Sequence, residues 1–289
     1  MATQSQIEQI IDVALAEDLG RGDRTTELVI PQSMGGTAAI IAKEPALVCG
    51  GEIARIAFMK IDQSLQVKIP IPDGTRAKPG DVVMAVVGRV SSILKAERVA
   101  LNFLSHLSGV ATTTAQYVER VKGMDVKISD TRKTLPGLRL LEKYAVYVAG
   151  GQNHRPDLAS GIIIKDNHLV ALAAKGISIA EAIGRAKAGA KGMKVEIEVQ
   201  NLEQLKQAIE GKPDIIMLDN MSVDDIKRAV KMVPPSISLE ASGGINLENV
   251  RAVAETGVDV ISVGAITHSA KAIDFSLSFV TGRPPSKEA

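Results

Sequence analysis

Four short apolar runs follow one another at nearly even spacing: V-E-I-E-V (195–199), I-I-M-L-D (215–219), I-S-L-E-A (237–241) and V-I-S-V-G (260–264). Their first residues lie 20, 22 and 23 positions apart, and the intervening segments have the periodicity of amphipathic helices. One strand, one helix and two short loops fill such a length, and strands linked in this way run parallel with right-handed crossovers. The spacing predicts an α/β fold of the (β/α) barrel type.

Two further runs extend this pattern toward the N-terminus, V-K-I-S-D (126–130) and I-I-I-K (162–165). They bring the predicted strands to six, whereas a complete barrel has eight. We therefore predict a partly open barrel over residues 109–270.

The N-terminal part of the chain has a different pattern. A helical repeat over 5–19 ends at Gly20, and β-like runs follow at 37–43, 65–70 and 81–90 around a helical stretch at 51–60. This order predicts a separate α+β domain over 1–108, with the C-terminal segment 271–289 as a candidate addition to it. Helical periodicity over 92–107, a break at Gly109 and renewed periodicity over 111–122 predict the connection to the barrel.

Composition excludes several classes of protein. The formal net charge is only +1, and seven Phe and Tyr residues with no Trp offer few platforms for base stacking, so we expect no nucleic-acid partner. We see neither a signal peptide nor an apolar run of transmembrane length, and we expect a cytoplasmic protein without a membrane partner. The single cysteine, Cys49, allows neither an internal disulfide nor a multi-cysteine metal cage.

Cationic side chains are concentrated in T-R-K-T (131–134), N-H-R (153–155) and K-D-N-H (165–168), and they follow predicted strands. Barrel enzymes place their active sites at the C-terminal ends of the strands, so these cations converge on one mouth and predict a site for a multiply anionic small molecule. Structural readings stay open: His154 as a hydrogen-bonding residue, Lys165 as the ion-pair partner of Asp166 or Glu198, and His168 as a polar residue at a helix start.

Carboxylates and glycine turns occupy the remaining strand ends. Glu196 and Glu198 share one face of their strand, Glu198 lies nearer the rim, and Asp219 ends the next strand; such oxygens suit Mg²⁺ or ribose hydroxyls, or they balance the charge of Lys165. The turns S-G-G (242–244) and G-A-I (264–266) bring backbone N–H groups close to an anion, and the last two loops of such barrels often bind phosphate.

Nine motifs, in this order, resemble the quinolinate phosphoribosyltransferase family: A-E-D-L-G-R-G-D-R-T-T (16–26), E-R-V-A-L-N-F-L-S-H-L-S-G-V-A-T (97–112), T-R-K-T-L-P-G-L-R (131–139), K-Y-A-V (143–146), G-G-Q-N-H-R (150–155), I-I-I-K-D-N-H (162–168), E-I-E-V (196–199), L-D-N (218–220) and S-G-G-I (242–245). The resemblance implies an N-terminal α/β sandwich, an open barrel, and a homodimer or an assembly of dimers. It also implies Mg²⁺-dependent conversion of quinolinate and phosphoribosyl pyrophosphate to nicotinate mononucleotide, pyrophosphate and CO₂ in NAD biosynthesis.

The resemblance also implies roles for individual residues. Quinolinate would be held by Arg98, Thr131, Arg132, His154, Arg155 and Lys165. Phosphoribosyl pyrophosphate would be held by Lys133, Thr134, Glu198, Asp219, Ser242, Gly243, Gly244, Gly264, Ala265 and Ile266. Lys165, Glu198 and Asp219 would be catalytic, with the two carboxylates holding the metal directly or through water. Arg98 would enter the active site of the neighbouring subunit.

Three other functions remain open at this level. A related phosphoribosyltransferase acting on another aromatic acid needs the same residues. A Schiff-base aldolase would use Lys165 but leaves the arginines unexplained, and a non-catalytic sensor would bind both anions without releasing pyrophosphate. The group that protonates the product carbon after CO₂ leaves is open between Lys165 and water.

Overall fold

A computed structural model describes residues 3–280 of the chain. Its helices are α1 (Gln4–Leu19), α2 (Arg24–Val29), α3 (Gly51–Ile61), α4 (Val90–Arg120), α5 (Arg139–Val148), α6 (Asp166–Ala173), α7 (Ile179–Gly189), α8 (Leu202–Gly211), α9 (Val223–Met232), α10 (Val250–Ala254) and α11 (Ala265–His268). Its strands are β1 (Gly35–Ala42), β2 (Ala46–Leu47), β3 (Gln66–Lys68), β4 (Arg76–Ala77), β5 (Val82–Arg89), β6 (Lys127–Ser129), β7 (Ile162–Ile164), β8 (Val195–Val199), β9 (Ile215–Asp219), β10 (Ser238–Ser242), β11 (Val260–Ser262) and β12 (Phe275–Phe279). No helix within these residues has both the length and the apolar content needed to cross a membrane.

The chain divides into two compact units. Among the described residues, the first contains 3–115, 135–149 and 270–280, and the second contains 116–134 and 150–269. The sequence boundaries at 108 and 270 stay predictions. Of the proposed C-terminal addition 271–289, residues 281–289 lie outside the described part of the chain.

The first unit is built on an antiparallel sheet of order β12-β1-β5-β3. Helix α1 begins with a capping box of Thr3 and Gln6 and ends at Leu19, with Gly20 as its C-cap, so the predicted stop at Gly20 is confirmed. The strand β12 pairs with β1 from Ala38 opposite Phe279 to Ala42 opposite Phe275. The predicted α+β character of this part is confirmed, and its last described strand comes from the C-terminal segment.

The predicted helix break at Gly109 is wrong. Helix α4 runs without interruption through 31 residues. A Cβ on Gly109 would collide with the carbonyl oxygen of Lys271 and would lie 3.2 Å from the Cα of Ala272. Glycine is present because another backbone segment approaches the helix, and one interior glycine, at about 1 kcal/mol, does not end a helix of this length.

The second unit is built on a parallel sheet of order β6-β11-β10-β9-β8-β7. All six predicted strands are present in it, so the predicted parallel α/β organisation is confirmed. Within residues 3–280 no ladder joins β6 to β7, and the outer side of β6 carries a single parallel bridge from Ser129 to Gln152. This order agrees with a barrel that is open between its first and second strands.

Strand register aligns four polar residues across the C-terminal edge of this sheet. Asp219 pairs with Ser242, Ser242 with Ser262, and Ser262 with Ser129. Each of them is the last residue of its strand. The candidate residues 131–134, 165, 243–244 and 264–266 follow β6, β7, β10 and β11, so they leave the sheet from this edge.

Candidate active site

A buried carboxylate holds the loop that carries His154 and Arg155. Asp130 follows β6 and has no exposed surface. Its Oδ1 accepts the backbone N–H of His154 at 2.7 Å, and its Oδ2 accepts Nδ2 of Asn153 at 2.9 Å. Asp130 thereby fixes the position of the loop that carries His154 and Arg155. The sequence alone did not indicate this role for Asp130.

His154 lies against two buried glutamates. Its Nε2 is 3.3 Å from Oε2 of Glu196 and 3.5 Å from Oε2 of Glu240, and each glutamate is only 3% exposed. Burial opposes the charged ring, but the hydrogen bonds to Glu196 and Glu240 outweigh it and raise the pKa of His154 to about 10. Burial raises the pKa of Glu196 above its usual value. The structure thus supports the interpretation of His154 as a structural hydrogen-bonding residue, which the sequence left open.

These three side chains are close enough to be considered as a metal site, because one potential ligand atom from each lies within 4.8 Å of the others. The protonation of His154 argues against it. In the neutral ring Nδ1 accepts the backbone N–H of Arg155 at 2.8 Å, so the single proton is on Nε2; in the charged ring both nitrogens carry protons, and Nδ1 no longer accepts this bond. Nε2 therefore donates to the glutamates and has no lone pair for a metal. Glu240 was not singled out from the sequence because its partner comes from another part of the chain.

The guanidinium groups of Arg132 and Arg155 lie near enough for their positive charges to interact. Nη1 of Arg155 donates to the carbonyl oxygen of Gly161 at 2.7 Å, whereas its buried Nε has no hydrogen-bond partner among residues 3–280. Burial, followed by the nearby charge of Arg132, lowers the pKa of Arg155. Two guanidinium groups that repel each other suit an anionic ligand, because a carboxylate relieves the repulsion and accepts their planar N–H pairs.

Lys165 and Glu198 form an ion pair at the rim. Nζ of Lys165, in the residue after β7, lies 3.1 Å from Oε2 of Glu198 on β8. The lysine side chain is 44% exposed and the glutamate side chain 10%, so the pair is open on one side only. The predicted alternative of ion pairing between these residues is confirmed. His168 accepts the backbone N–H of Lys165 through Nδ1 at 2.9 Å, which gives it a structural role at the start of α6.

Asp219 lies on the strand next to Glu198. Glu198 pairs with Met217, so Asp219 is two residues beyond the partner of Glu198 and on the same face of the sheet. Asp219 is partly exposed, and its Oδ2 accepts Nδ2 of Asn220 at 2.9 Å. Two carboxylates on adjacent strands give the oxygen ligands that suit Mg²⁺, and Lys165 would share Glu198 with it.

The loop after β6 is tied to the loop after β11. Thr131 accepts the backbone N–H of Lys133 through Oγ1 at 3.0 Å, and Thr267 donates its Oγ1 hydrogen to the carbonyl oxygen of Lys133 at 2.7 Å. A Cβ on Gly264 would lie 3.1 Å from both Cδ of Lys133 and Nε2 of His268. The structure therefore places Lys133 beside the G-A-I turn, together with His268, which the sequence did not indicate.

The structure also shows where the other predicted site residues lie. The Thr134 N–H donates to the carbonyl oxygen of Arg132 at 3.0 Å, and Ala265 begins α11. Ile266 is fully buried, so only its backbone is suited to binding a ligand. Arg98 is exposed on α4 in the first unit, and its contribution to a neighbouring subunit stays a prediction.

Two family descriptions match this arrangement. Residues 23–108 match quinolinate phosphoribosyl transferase, N-terminal domain, and residues 110–278 match quinolinate phosphoribosyl transferase, C-terminal domain. The chain belongs to the quinolinate phosphoribosyltransferase family. This family member is 40% identical over 273 residues to a probable nicotinate-nucleotide pyrophosphorylase [carboxylating] of Bacillus subtilis, with 94% of this chain and 93% of the relative covered. It is also 40% identical to the nicotinate-nucleotide pyrophosphorylase [carboxylating] of Mycobacterium leprae, with 91% and 94% covered.

Solved structures agree with the family assignment. The family member superposes on the nicotinate-nucleotide pyrophosphorylase of Francisella tularensis with a TM-score of 0.89 at 40% identity, covering 97% of this chain and 98% of that one. Human nicotinic acid phosphoribosyltransferase gives a TM-score of 0.60 at 13% identity, with 99% of this chain and 76% of that one covered. The second likeness concerns the fold alone.

Proposed function

We propose that the protein transfers the phosphoribosyl group of phosphoribosyl pyrophosphate to the ring nitrogen of quinolinate, and releases pyrophosphate, CO₂ and nicotinate mononucleotide. The observation that carries this proposal is that Arg132 lies near Arg155, whose buried Nε has no hydrogen-bond partner among the described residues. The names of the relatives at 40% identity support the same reaction.

Quinolinate carries two carboxylates on adjacent ring carbons, and the proposed pocket supplies cations for both. Arg132 and Arg155 bind them, Thr131 and His154 line the pocket, and Lys165 closes it at the rim. A planar guanidinium matches a carboxylate with two parallel hydrogen bonds. Two carboxylates on one ligand match the two guanidinium groups, so the pocket favours a dianion over an uncharged aromatic ring.

The phosphoribosyl donor occupies the neighbouring strand ends. Lys133 and Thr134 meet its phosphates, and the backbone N–H groups of the S-G-G turn, residues 242–244, bind the 5′-phosphate. The G-A-I turn, residues 264–266, completes this second anion site. The closeness of Lys133 to Gly264 supports one continuous site for the donor.

Breaking the C1–O bond of the donor develops positive charge on the ribose, and the carboxylates of Glu198 and Asp219 stabilise that charge. Both also suit Mg²⁺, which when bound neutralises charge on the leaving pyrophosphate. Once the ring nitrogen is ribosylated, the pyridinium accepts the electron pair of the adjacent C–C bond as CO₂ leaves. A proton then adds to that carbon. Lys165 forms a salt bridge with Glu198, which does not suit the free neutral amine of a Schiff-base aldolase.

We further propose a homodimer or an assembly of dimers as the working enzyme. Arg98 of one subunit then completes the quinolinate pocket of its neighbour. The exposure of Arg98 on α4 supports this arrangement, since a side chain free of its own unit is available to another chain.

The test is a product assay on the purified protein with phosphoribosyl pyrophosphate, Mg²⁺ and one of three acids: quinolinate, nicotinate or phthalate. We expect nicotinate mononucleotide from quinolinate alone. Turnover of nicotinate in place of quinolinate would identify the related phosphoribosyltransferase. Binding of quinolinate and donor without pyrophosphate release would identify the sensor, and borohydride trapping of Lys165 with a carbonyl compound would identify the aldolase.

A further inference from the structure

The residue after β9 has a backbone conformation that side-chain-bearing residues rarely adopt. Asn220 has a φ of +54°, in the left-handed region. Among residues 3–280 only Lys191 and Lys212 share a positive φ without being glycine. Asparagine tolerates this region better than most residues, at a cost that surrounding contacts must offset. The hydrogen bonds and packing contacts of Asn220 show what stabilises this backbone conformation.

Asn220 links two neighbouring strand ends through hydrogen bonds. Its backbone N–H donates to the carbonyl oxygen of Ser242 at 2.9 Å, and its Nδ2 donates to Oδ2 of Asp219 at 2.9 Å. The first bond reaches the end of β10, where the S-G-G turn begins. The second reaches the carboxylate that ends β9. Asn220 therefore joins the two strand ends, with its main chain bonded to β10 and its side chain bonded to β9.

The amide of Asn220 also fills the space beside the S-G-G turn. A Cβ on Gly243, which has a φ of +84°, would lie 2.5 Å from both Cγ and Oδ1 of Asn220 and 2.7 Å from its Nδ2. Real Cβ contacts are essentially never this short, so the contact with Asn220 and the positive φ both favour glycine at position 243. On the other side, Nδ2 of Asn249 donates to the carbonyl oxygen of Gly244 at 2.9 Å. The turn is held between two asparagine side chains.

We infer that Asn220 is a positioning residue that sets the distance between the Asp219 carboxylate and the S-G-G turn. This inference rests on the proposed function, in which Asp219 faces the ribose and the turn binds the 5′-phosphate. Through these contacts Asn220 keeps the carboxylate and the turn in one arrangement, which suits a donor that presents a ribose to one and a 5′-phosphate to the other. It acts through Asp219 and the turn, and it takes no part in quinolinate binding.

The first test compares Asn220→Gly with Lys212→Gly. Glycine adopts the left-handed conformation without strain, so each variant removes only a side chain, and Lys212 has nearly the same φ of +53° at an exposed helix end. We expect Asn220→Gly to raise the KM for phosphoribosyl pyrophosphate about tenfold or more, as for a lost hydrogen bond to a charged group. The KM for quinolinate stays within about twofold, and Lys212→Gly leaves both constants unchanged. A purely structural role would raise both KM values together.

Two further variants separate the contacts. Asn220→Asp keeps the shape and the tolerance for positive φ but has no N–H for Asp219, so it also weakens donor binding; wild-type binding by this variant would overturn the inference. Gly243→Ala collides with the Asn220 amide, and adding Asn220→Gly removes the collision. We expect the double variant to bind the donor better than Gly243→Ala alone, and strictly additive losses would count against the coupling.

Calorimetric titration with phosphoribosyl pyrophosphate alone, without quinolinate, distinguishes failure of the inference from failure of the proposed function. If the wild type binds this donor but makes no product, the proposed function fails, and weaker donor binding by Asn220→Gly still supports the inference. If the wild type makes nicotinate mononucleotide and Asn220→Gly binds the donor within twofold of it, the inference alone fails. If the wild type neither binds the donor nor makes product, both fail. Circular dichroism checks the fold of every variant, and Asn220→Asp replaces Asn220→Gly if the latter unfolds.

Discussion

Replacing His154 by alanine should destabilise the protein by an amount that its contacts determine. The change removes the donor shared by Oε2 of Glu196 at 3.3 Å and Oε2 of Glu240 at 3.5 Å, and both glutamates are 3% exposed. Removing one partner of a buried ion pair costs about 3–5 kcal/mol. The His154 side chain is 16% exposed, so we take the lower end, about 3 kcal/mol, because water reaches the gap.

Thermal unfolding followed by circular dichroism measures this loss. Each kcal/mol of lost stability lowers the Tm of a domain of this size by roughly 2–4 °C, so the Tm of His154→Ala should fall by about 6–12 °C. His168→Ala is the control, because it removes an exposed ring with one backbone hydrogen bond and should cost only about 1 kcal/mol. In addition, His154→Ala combined with Glu196→Gln and Glu240→Gln should be more stable than His154→Ala alone, since the unpaired buried charges are gone. A midpoint for His154→Ala equal to that of His168→Ala, or no recovery in the triple variant, would refute this role of His154.

The remaining predictions concern activity, assembly and pH. Arg132→Ala should lower kcat/KM for quinolinate by roughly 150-fold, the effect of about 3 kcal/mol for a lost charged pair, while the KM for the phosphoribosyl donor in steady-state assays changes little. Arg98→Ala should abolish quinolinate turnover and leave the fold intact by circular dichroism. Mixtures of inactive Arg98→Ala and inactive Lys165→Ala subunits should regain part of the activity if subunits share the site; no recovery despite subunit exchange, followed by native mass spectrometry, would contradict it. The pKa of His154, about 10 when folded, lies above its ordinary value of 6.5, so its stabilisation is complete below pH 6.5 and is lost as the pH rises toward 10. Urea midpoints between pH 6 and 10 should fall for the wild type and stay flatter for His154→Gln.

Much of the fold was predictable because it depends on local pattern. The spacing of four apolar runs predicted parallel strands, and the Gly20 stop of α1 was visible in the sequence. The break at Gly109 was mispredicted because the reason for that glycine is the backbone of Lys271, far along the chain. A local pattern carries no information about such an approach.

The candidate site was predictable where residues end strands, and not where they depend on register. Lys165 and Glu198 were found as a possible pair because each lies at or just beyond a strand end, and the structure joins them. Glu240 and Asp130 were missed because their partner, His154, lies on a loop whose position the sequence does not specify. Asn220 stood in a quoted motif, yet only its φ and its contact with Gly243 reveal what it does.

In the proposed function, one site performs both phosphoribosyl transfer and decarboxylation. The most direct measurement uses quinolinate labelled with ¹⁴C in the carboxylate next to the ring nitrogen, and counts released CO₂ and pyrophosphate in the same reaction. We predict one labelled CO₂ for each pyrophosphate and no labelled CO₂ without the phosphoribosyl donor. Labelled CO₂ released without the donor, or pyrophosphate released without labelled CO₂, would contradict the claim.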